Sequence, residues 1–189
     1  MNLQYVKNAY IDFDGTLVDS NGCWKAAYIR LCKRKNIEYS EEIIKLFEKV
    51  NFNEWLGCIF KQVDNLSENE FLEFSILEYL NREPKREVVE FINELPTRCK
   101  LIVITKEPAE LVSRWLNHYN LNIFDGIVTE RDNREKVEYY RINNLLVIDD
   151  NYKNCIAAKN SGATVVGVND YHSKEQMKKM IDICDFYII

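Results

Sequence analysis

Glycine and proline are scarce in this chain, six and three residues respectively among 189. That scarcity excludes long structureless linkers and collagen-like or low-complexity segments. Histidine occurs only as His118 and His172. Both read as surface or helix-end residues, and neither is paired with a cysteine or serine nucleophile. No Cys-x-x-Cys is present, and the six cysteines (Cys23, Cys32, Cys58, Cys99, Cys155 and Cys184) lie far apart. A disulfide framework or zinc cluster is therefore disfavoured, and reduced, buried thiols in a cytoplasmic protein are expected. No apolar run approaches the roughly 18 residues of a membrane span. The opening MNLQYVKNAYIDFDGT lacks a signal-peptide layout, because its short apolar stretch runs straight into two aspartates. There is no excess of basic charge either: 25 Lys+Arg against 30 Asp+Glu gives a net charge of −5. Wrapping nucleic acid by backbone charge alone is a poor fit to that balance, so neither a nucleic-acid nor a membrane partner is expected.

What remains is an ordinary globular composition, 47% hydrophobic and 29% charged, in a chain long enough to bury a core without staples. Asn8–Phe13 reads as a first strand, stopped by Asp14-Gly15. From Asp19 to about Arg82 no strand candidate occurs, only helical periodicity. Trp24, Ala27, Tyr28, Leu31 and Cys32 draw one apolar stripe. Ser40-Glu41-Glu42 suits the start of a second helix, and helices are expected at Asn53–Gln62 and Ser67–Leu80. Ser67-Glu68-Asn69-Glu70 fits a capping box.

After Pro84 strands and helices alternate. Lys100–Ile104, Ile123–Thr129, Leu145–Ile148, Thr164–Val168 and Phe186–Ile189 read as strands. Lys85–Leu95, Pro108–Tyr119, Asn151–Asn160 and His172–Ile183 read as helices. Such alternation implies βαβ units, hence an α/β fold with a parallel sheet and helices on both faces. We expect a Rossmann-like three-layer core formed by residues 1–18 and 84–189, interrupted by an α-helical insertion over residues 19–83. The insertion is expected over the carboxyl ends of the strands, the edge where open α/β sheets bind ligands.

The aspartates carry the chemistry. Asp12 and Asp14 follow the first strand, and Asp149 and Asp150 follow Leu145–Ile148. In a parallel sheet both strand ends open on one edge, and four converging carboxylates repel unless a cation lies among them. Hard oxygen ligands at that density suit Mg2+, which fills the rest of its shell with water and substrate phosphate. Each pair alone has an ordinary structural reading, a turn for Asp12-x-Asp14-Gly15 and a helix N-cap for Asp149-Asp150-Asn151. Their joint placement after two apolar strands favours a site. Gly15 bends the chain and re-aims the second member of the first pair. One carboxylate can then touch metal and substrate, and act as a nucleophile toward phosphorus, while the other exchanges a proton. Thr105 ends a further apolar strand before a helix and is a candidate for binding phosphate oxygens. A cation is also needed there. Lys136 is the first choice, with Arg131 and Arg134 as rivals, and Lys106 either reaches the phosphate or points to solvent.

These motifs resemble those of the haloacid dehalogenase-like hydrolase superfamily. Tyr10-Ile-Asp-Phe-Asp-Gly-Thr-Leu-Val-Asp-Ser20 is similar to its first motif, Leu-Ile-Val-Ile-Thr105 to its second, and Leu145-Leu-Val-Ile-Asp149-Asp150 to its acidic fourth. The resemblance spans nearly the whole chain, and the helical insertion is similar to the C1-type caps of phosphoglycolate-phosphatase-like members. It implies that Asp12 is the nucleophile and Asp14 the general acid/base, with the Asp14 backbone carbonyl also serving Mg2+. It further implies that Asp149 and Asp150 serve the metal, Asp150 by direct contact, and that Thr105 binds the phosphoryl group. Two departures stand out. Lys136 is followed by Val137 rather than proline, and the crossover before the fourth motif is shortened; and Lys106 replaces a common asparagine.

The expected activity is Mg2+-dependent hydrolysis of a small phosphorylated metabolite through an aspartyl-phosphate. Phosphotransfer, as in sugar phosphomutases of the same superfamily, is the second reading, and a non-catalytic phosphate- or protein-binding module is the third. Trp24, Lys25 and Tyr28 are candidates for substrate contact, although Trp24 and Tyr28 fit the apolar stripe better.

Overall fold

The computed structural model describes residues 3–47, 57, 61, 68–129 and 136–189. Six strands form one sheet: β1 Asn8–Asp12, β2 Lys100–Thr105, β3 Gly126–Thr129, β4 Leu145–Asp149, β5 Thr164–Val168 and β6 Phe186–Ile188. All neighbouring pairs are parallel, in the order β3-β2-β1-β4-β5-β6. The chain therefore builds outward from β1 to β3, crosses back, and builds the other half from β4. The order reverses between β1 and β4, the switch point at which such sheets leave a crevice at their carboxyl edge.

The central strands are apolar because both their faces are covered. Tyr10 and Val147 point into a layer with Cys155 and Ala158 of α6 (Tyr152–Asn160), Met180 of α7 (Lys174–Ile183) and Tyr140 of a 3-10 turn, Lys136–Tyr140. The alternate residues Ala9, Ile11, Val103, Leu146 and Ile148 are just as inaccessible. In α5 (Ala109–His118), Leu111, Val112, Trp115 and Leu116 are buried, and Trp115 meets Phe13 edge to face with ring centroids 5.1 Å apart. Helix α4 (Arg86–Asn93) buries Val88 and Ile92, four apart on one face. The expected three-layer α/β core is thus present. Among the described residues of the shortened crossover before β4, the element present is the 3-10 turn.

Capping chemistry sets several boundaries. Asn151 accepts the Lys153 N–H at the start of α6, and Ser173 with Gln176 forms a full capping box at α7. Each edge strand is preceded by an aspartate that ties down its inner neighbour. Asp125 accepts the Leu101 N–H at 2.8 Å and Asp185 the Val165 N–H at 2.9 Å.

The chain divides into two compact units, residues 1–19 with 83–189 and residues 20–82. In the second unit α1 (Cys23–Lys35) and α3 (Glu68–Leu80) run antiparallel, as the ion pairs Arg30–Glu78 (2.7 Å) and Lys35–Glu70 (2.8 Å) require. Trp24 stacks on Phe71 at 5.7 Å and meets Tyr79 at 5.8 Å. Tyr28 is buried and its hydroxyl accepts the Ser40 N–H at 3.0 Å. Both aromatic candidates for substrate contact are therefore core residues, while Lys25 is exposed. Helix α2 spans Glu41–Phe47, with Ser40 accepting the Ile43 N–H at its start. The helix expected at 53–62 and the Ser67 cap lie outside the described residues. Among the described residues, every cysteine is free and no helix is long and apolar enough to cross a membrane.

Candidate active site

Strand register builds the site. Ile11 stands opposite Ile148, so one further step brings Asp12 level with Asp149 across the switch point. On the other side Asp12 pairs with Ile104, which leaves Thr105 one residue beyond. Carboxylate oxygens of Asp12, Asp149 and Asp150 accordingly lie within 4.8 Å of one another. Asp12 is 8% exposed and Asp149 fully buried, so water screens little of their mutual repulsion.

Each carboxylate is held differently. Asp149 accepts the Asn151 N–H at 2.8 Å, and its two oxygens share the Asn154 amide at 3.1 and 3.0 Å. Asp150 is held by Thr16, whose hydroxyl donates to Oδ1 at 2.9 Å and accepts the Asp150 N–H at 3.0 Å. Burial, followed by the negative charges of Asp12 and Asp149, pushes the Asp150 carboxyl up to about 8, against the lowering effect of the Thr16 bond. Three carboxylates packed this closely form a donor set that fits a small, hard divalent cation.

Asp14 stands outside this trio. It is half-buried in a tight turn in which the Phe13 carbonyl accepts N–H groups from Thr16, Leu17 and Val18 (3.3, 2.9 and 3.1 Å). Gly15 makes that turn possible with φ +73°, a left-handed conformation. A Cβ at Gly15 would sit 2.7 Å from Asp150 Oδ2 and 2.8 Å from Asp170 Oδ2. We therefore expect Gly15→Ala to cost about 1–2 kcal/mol from backbone strain alone. It should also displace Asp150 enough to abolish any thermal stabilisation by divalent cations, as read by differential scanning fluorimetry.

Thr105 is 1% exposed, and its hydroxyl accepts the Glu107 N–H at 3.0 Å, shaping the turn into α5. Lys106 is exposed. Lys136 begins the 3-10 turn, but its side chain lies outside what the structure describes, as do Arg131 and Arg134. His118 is exposed, and His172 is half-buried with Nδ1 3.1 Å from the Tyr187 hydroxyl.

Sequence reasoning missed three residues at this edge: Thr16, Lys85 and Asp170. Thr16 could have been suspected as a hydroxyl directly after the Asp14-Gly15 turn. Lys85 and Asp170 carry no motif signal, and only folding brings them together, at 2.9 Å.

The sequence model of the haloacid dehalogenase-like hydrolase family matches residues 10–168. Comparison with curated protein sequences finds no match. Among solved structures, the chain is similar to a candidate beta-phosphoglucomutase from Thermotoga maritima (18% identity, TM-score 0.70, 97% of this chain and 94% of that one). It is also similar to CbbY from Rhodobacter sphaeroides in complex with phosphate (15%, 0.69, 97% and 93%). A third is YfnB from Bacillus subtilis, a candidate hydrolase solved bound to magnesium (16%, 0.67, 97% and 94%). At such identities these structures speak to fold.

Proposed function

Since the chain belongs to the haloacid dehalogenase-like hydrolase family, we propose that it is a Mg2+-dependent phosphomonoester hydrolase acting on a small phosphorylated metabolite. The observation that carries this reading is the meeting of the Asp12, Asp149 and Asp150 carboxylates at the sheet's switch point. Those three residues, with the Asp14 carbonyl, would hold the cation. When bound, the ion supplies neutralisation of charge on the phosphoryl oxygens.

In this reading an oxygen of Asp12 forms a bond to phosphorus as the bond to the leaving oxygen breaks, giving an aspartyl-phosphate. Asp14, whose carboxylate is outside the trio, donates its proton to the departing oxygen. It then takes a proton from the water that hydrolyses the acyl phosphate. Asp149, fixed by Asn154 and the Asn151 N–H, orients the acidic edge. Asp150, steadied by Thr16, would be a direct ligand of the cation. Thr105 together with Lys136 or Lys106 binds the phosphoryl oxygens, as phosphoryl transfer requires positioning and charge stabilisation above all. In this reading residues 19–83 are a helical cap of the C1 type. Buried free thiols suit a reducing, cytoplasmic setting.

Phosphate release from a panel of phosphorylated metabolites and from p-nitrophenyl phosphate, with Mg2+ and with chelator, tests the reading. Turnover that needs Mg2+ supports it. No release above an Asp12→Asn control, across several metals and pH values, would sink it in favour of a binding module. The likeness to a candidate phosphoglucomutase motivates one further arm: interconversion of sugar phosphates in place of phosphate release would point to phosphotransfer.

The raised Asp150 carboxyl adds a pH signature. Its pKa of about 8 in the folded chain lies above the ordinary 3.8. Between those values the folded, metal-free chain keeps a proton that the unfolded chain has lost. This group's contribution to stability therefore falls as pH rises through that window. A divalent cation offsets the penalty once the carboxyl is ionised. Mg2+ is expected to raise Tm more at about pH 8 than at about pH 5.5. Equal shifts at both pH values in thermal melts would contradict the coupling.

A further inference from the structure

Lys85 immediately precedes α4 and serves as its N-cap residue. Its N–H donates to the Leu17 carbonyl at 2.8 Å, and the neighbouring Pro84 bridges to Val18. Its side chain is only 18% exposed. An ammonium has three N–H donors, and here three oxygens accept from it: the Gly15 carbonyl, the Asn169 carbonyl at 3.0 Å and Asp170 Oδ1 at 2.9 Å. With its donors taken by these oxygens, this lysine is poorly suited to gripping a phosphate. It fastens two loops together.

Both loops bear on Asp150. The Gly15 backbone abuts the Asp150 carboxylate, and the next residue, Thr16, bonds both the side chain and the N–H of Asp150. Asp170 is wedged at the same point, since its Oδ2 lies 2.8 Å from where a Gly15 Cβ would be. The Asp170 loop is anchored once more by Tyr171, which adopts φ 53° and donates its hydroxyl to Asp19 at 2.6 Å.

We propose that Lys85 and Asp170 are positioning residues whose ion pair clamps the Gly15–Thr16 turn against Asp150 and so presets the carboxylates for a divalent cation. The inference rests on the metal-site reading above, and goes beyond it by assigning work to two residues outside the family's motifs. Charge alone predicts the opposite sign. Deleting a cation beside three carboxylates should strengthen divalent binding by Coulomb's law, whereas losing an outer support of the ligands typically weakens it by about 10–100-fold.

Calorimetric titration of the full chain with Mn2+ separates the two. Lys85→Met is expected to weaken Mn2+ binding about tenfold, and Lys85→Arg, which keeps a charged donor, to recover part of that deficit. Unchanged or tighter binding by Lys85→Met overturns the clamp while leaving the metal reading intact. Amide hydrogen exchange of Gly15–Leu17 gives a readout independent of metal. It should accelerate in Lys85→Met and, to a smaller extent, in Asp170→Asn; unchanged exchange in both overturns the clamp. If Lys85→Met fails to fold, Asp170→Asn carries this measurement alone. Wild-type protein that binds no Mn2+ overturns the metal reading itself, and exchange then decides whether the clamp exists.

Discussion

Asp12→Asn is expected to lower phosphate release by at least about a thousandfold while raising the melting temperature of the metal-free protein. The first effect follows from chemistry. An amide oxygen is a poor nucleophile toward phosphorus, and covalent catalysis has no second carboxylate at the end of β1 to turn to, because Asp14 stands outside the trio. The second effect follows from electrostatics. Asp12 is 8% exposed and its carboxylate shares a 4.8 Å neighbourhood with two others. Removing the Asp12 charge relieves its poorly screened repulsion with Asp149 and lowers the penalty on ionising Asp150. The amide is nearly isosteric, so packing should be unaffected. For a chain of this size, each kcal/mol relieved corresponds to about 2–4 °C in Tm. The same variant should lose most of its stabilisation by Mg2+. A residual activity within tenfold of wild type would show that Asp12 is not the nucleophile. A lowered Tm would show that its charge is compensated in the resting protein.

Trp115→Ala should have the largest effect on stability. Trp115 is completely buried in α5 and meets Phe13 edge to face, with Tyr119 tilted against it at 5.1 Å. Truncating a buried tryptophan to alanine typically costs about 3–5 kcal/mol, because it opens a cavity as well as forfeiting apolar burial. At about 2–4 °C per kcal/mol this lowers Tm by about 6–20 °C. Phe13 lies between Asp12 and Asp14, so removing its ring partner should also loosen the two carboxylates' placement. Catalysis should therefore fall even at temperatures where the variant is fully folded. Trp115→Phe, which keeps an aromatic ring against Phe13, should be distinctly milder in both respects. Urea denaturation gives the free-energy change, and kcat measured well below the transition isolates the site effect. A destabilisation under about 1 kcal/mol would mean that the surrounding helix collapses into the space, far below the usual cost of such a truncation.

The acidic motifs were legible because their backbone context was legible. Tyr10-Ile11 and Leu145–Ile148 belong to apolar runs of strand length, and aspartates directly after such runs fall at strand ends whatever the strand order. The same logic placed Thr105 at a strand end, and it is buried at the end of β2. The helical stripe of α1 likewise predicted its own burial: Trp24 and Tyr28 pack inside their own unit. Lys85 and Asp170 were invisible for a plain reason. A lysine before a helix and an aspartate after a strand are common surface residues, and nothing local says that they will lie 2.9 Å apart.

Local patterns in the chain, therefore, were enough to determine the α/β class, the helical block between two core segments, and the acidic strand ends. These depend on periodicity and turn chemistry within a few residues. Tertiary structure alone decided that β1 and β4 are neighbours in a register that levels Asp12 with Asp149. It also decided that Asp14 stays outside the trio, that Thr16 bonds Asp150, and that Lys85 reaches the Gly15 carbonyl, all from distant parts of the chain. The physical reason is that strand order and loop-to-loop packing are settled by how whole layers fit together. A parallel pairing joins residues far apart in the chain, here Ile11 with Ile148, and its energy is absent from any local window of sequence.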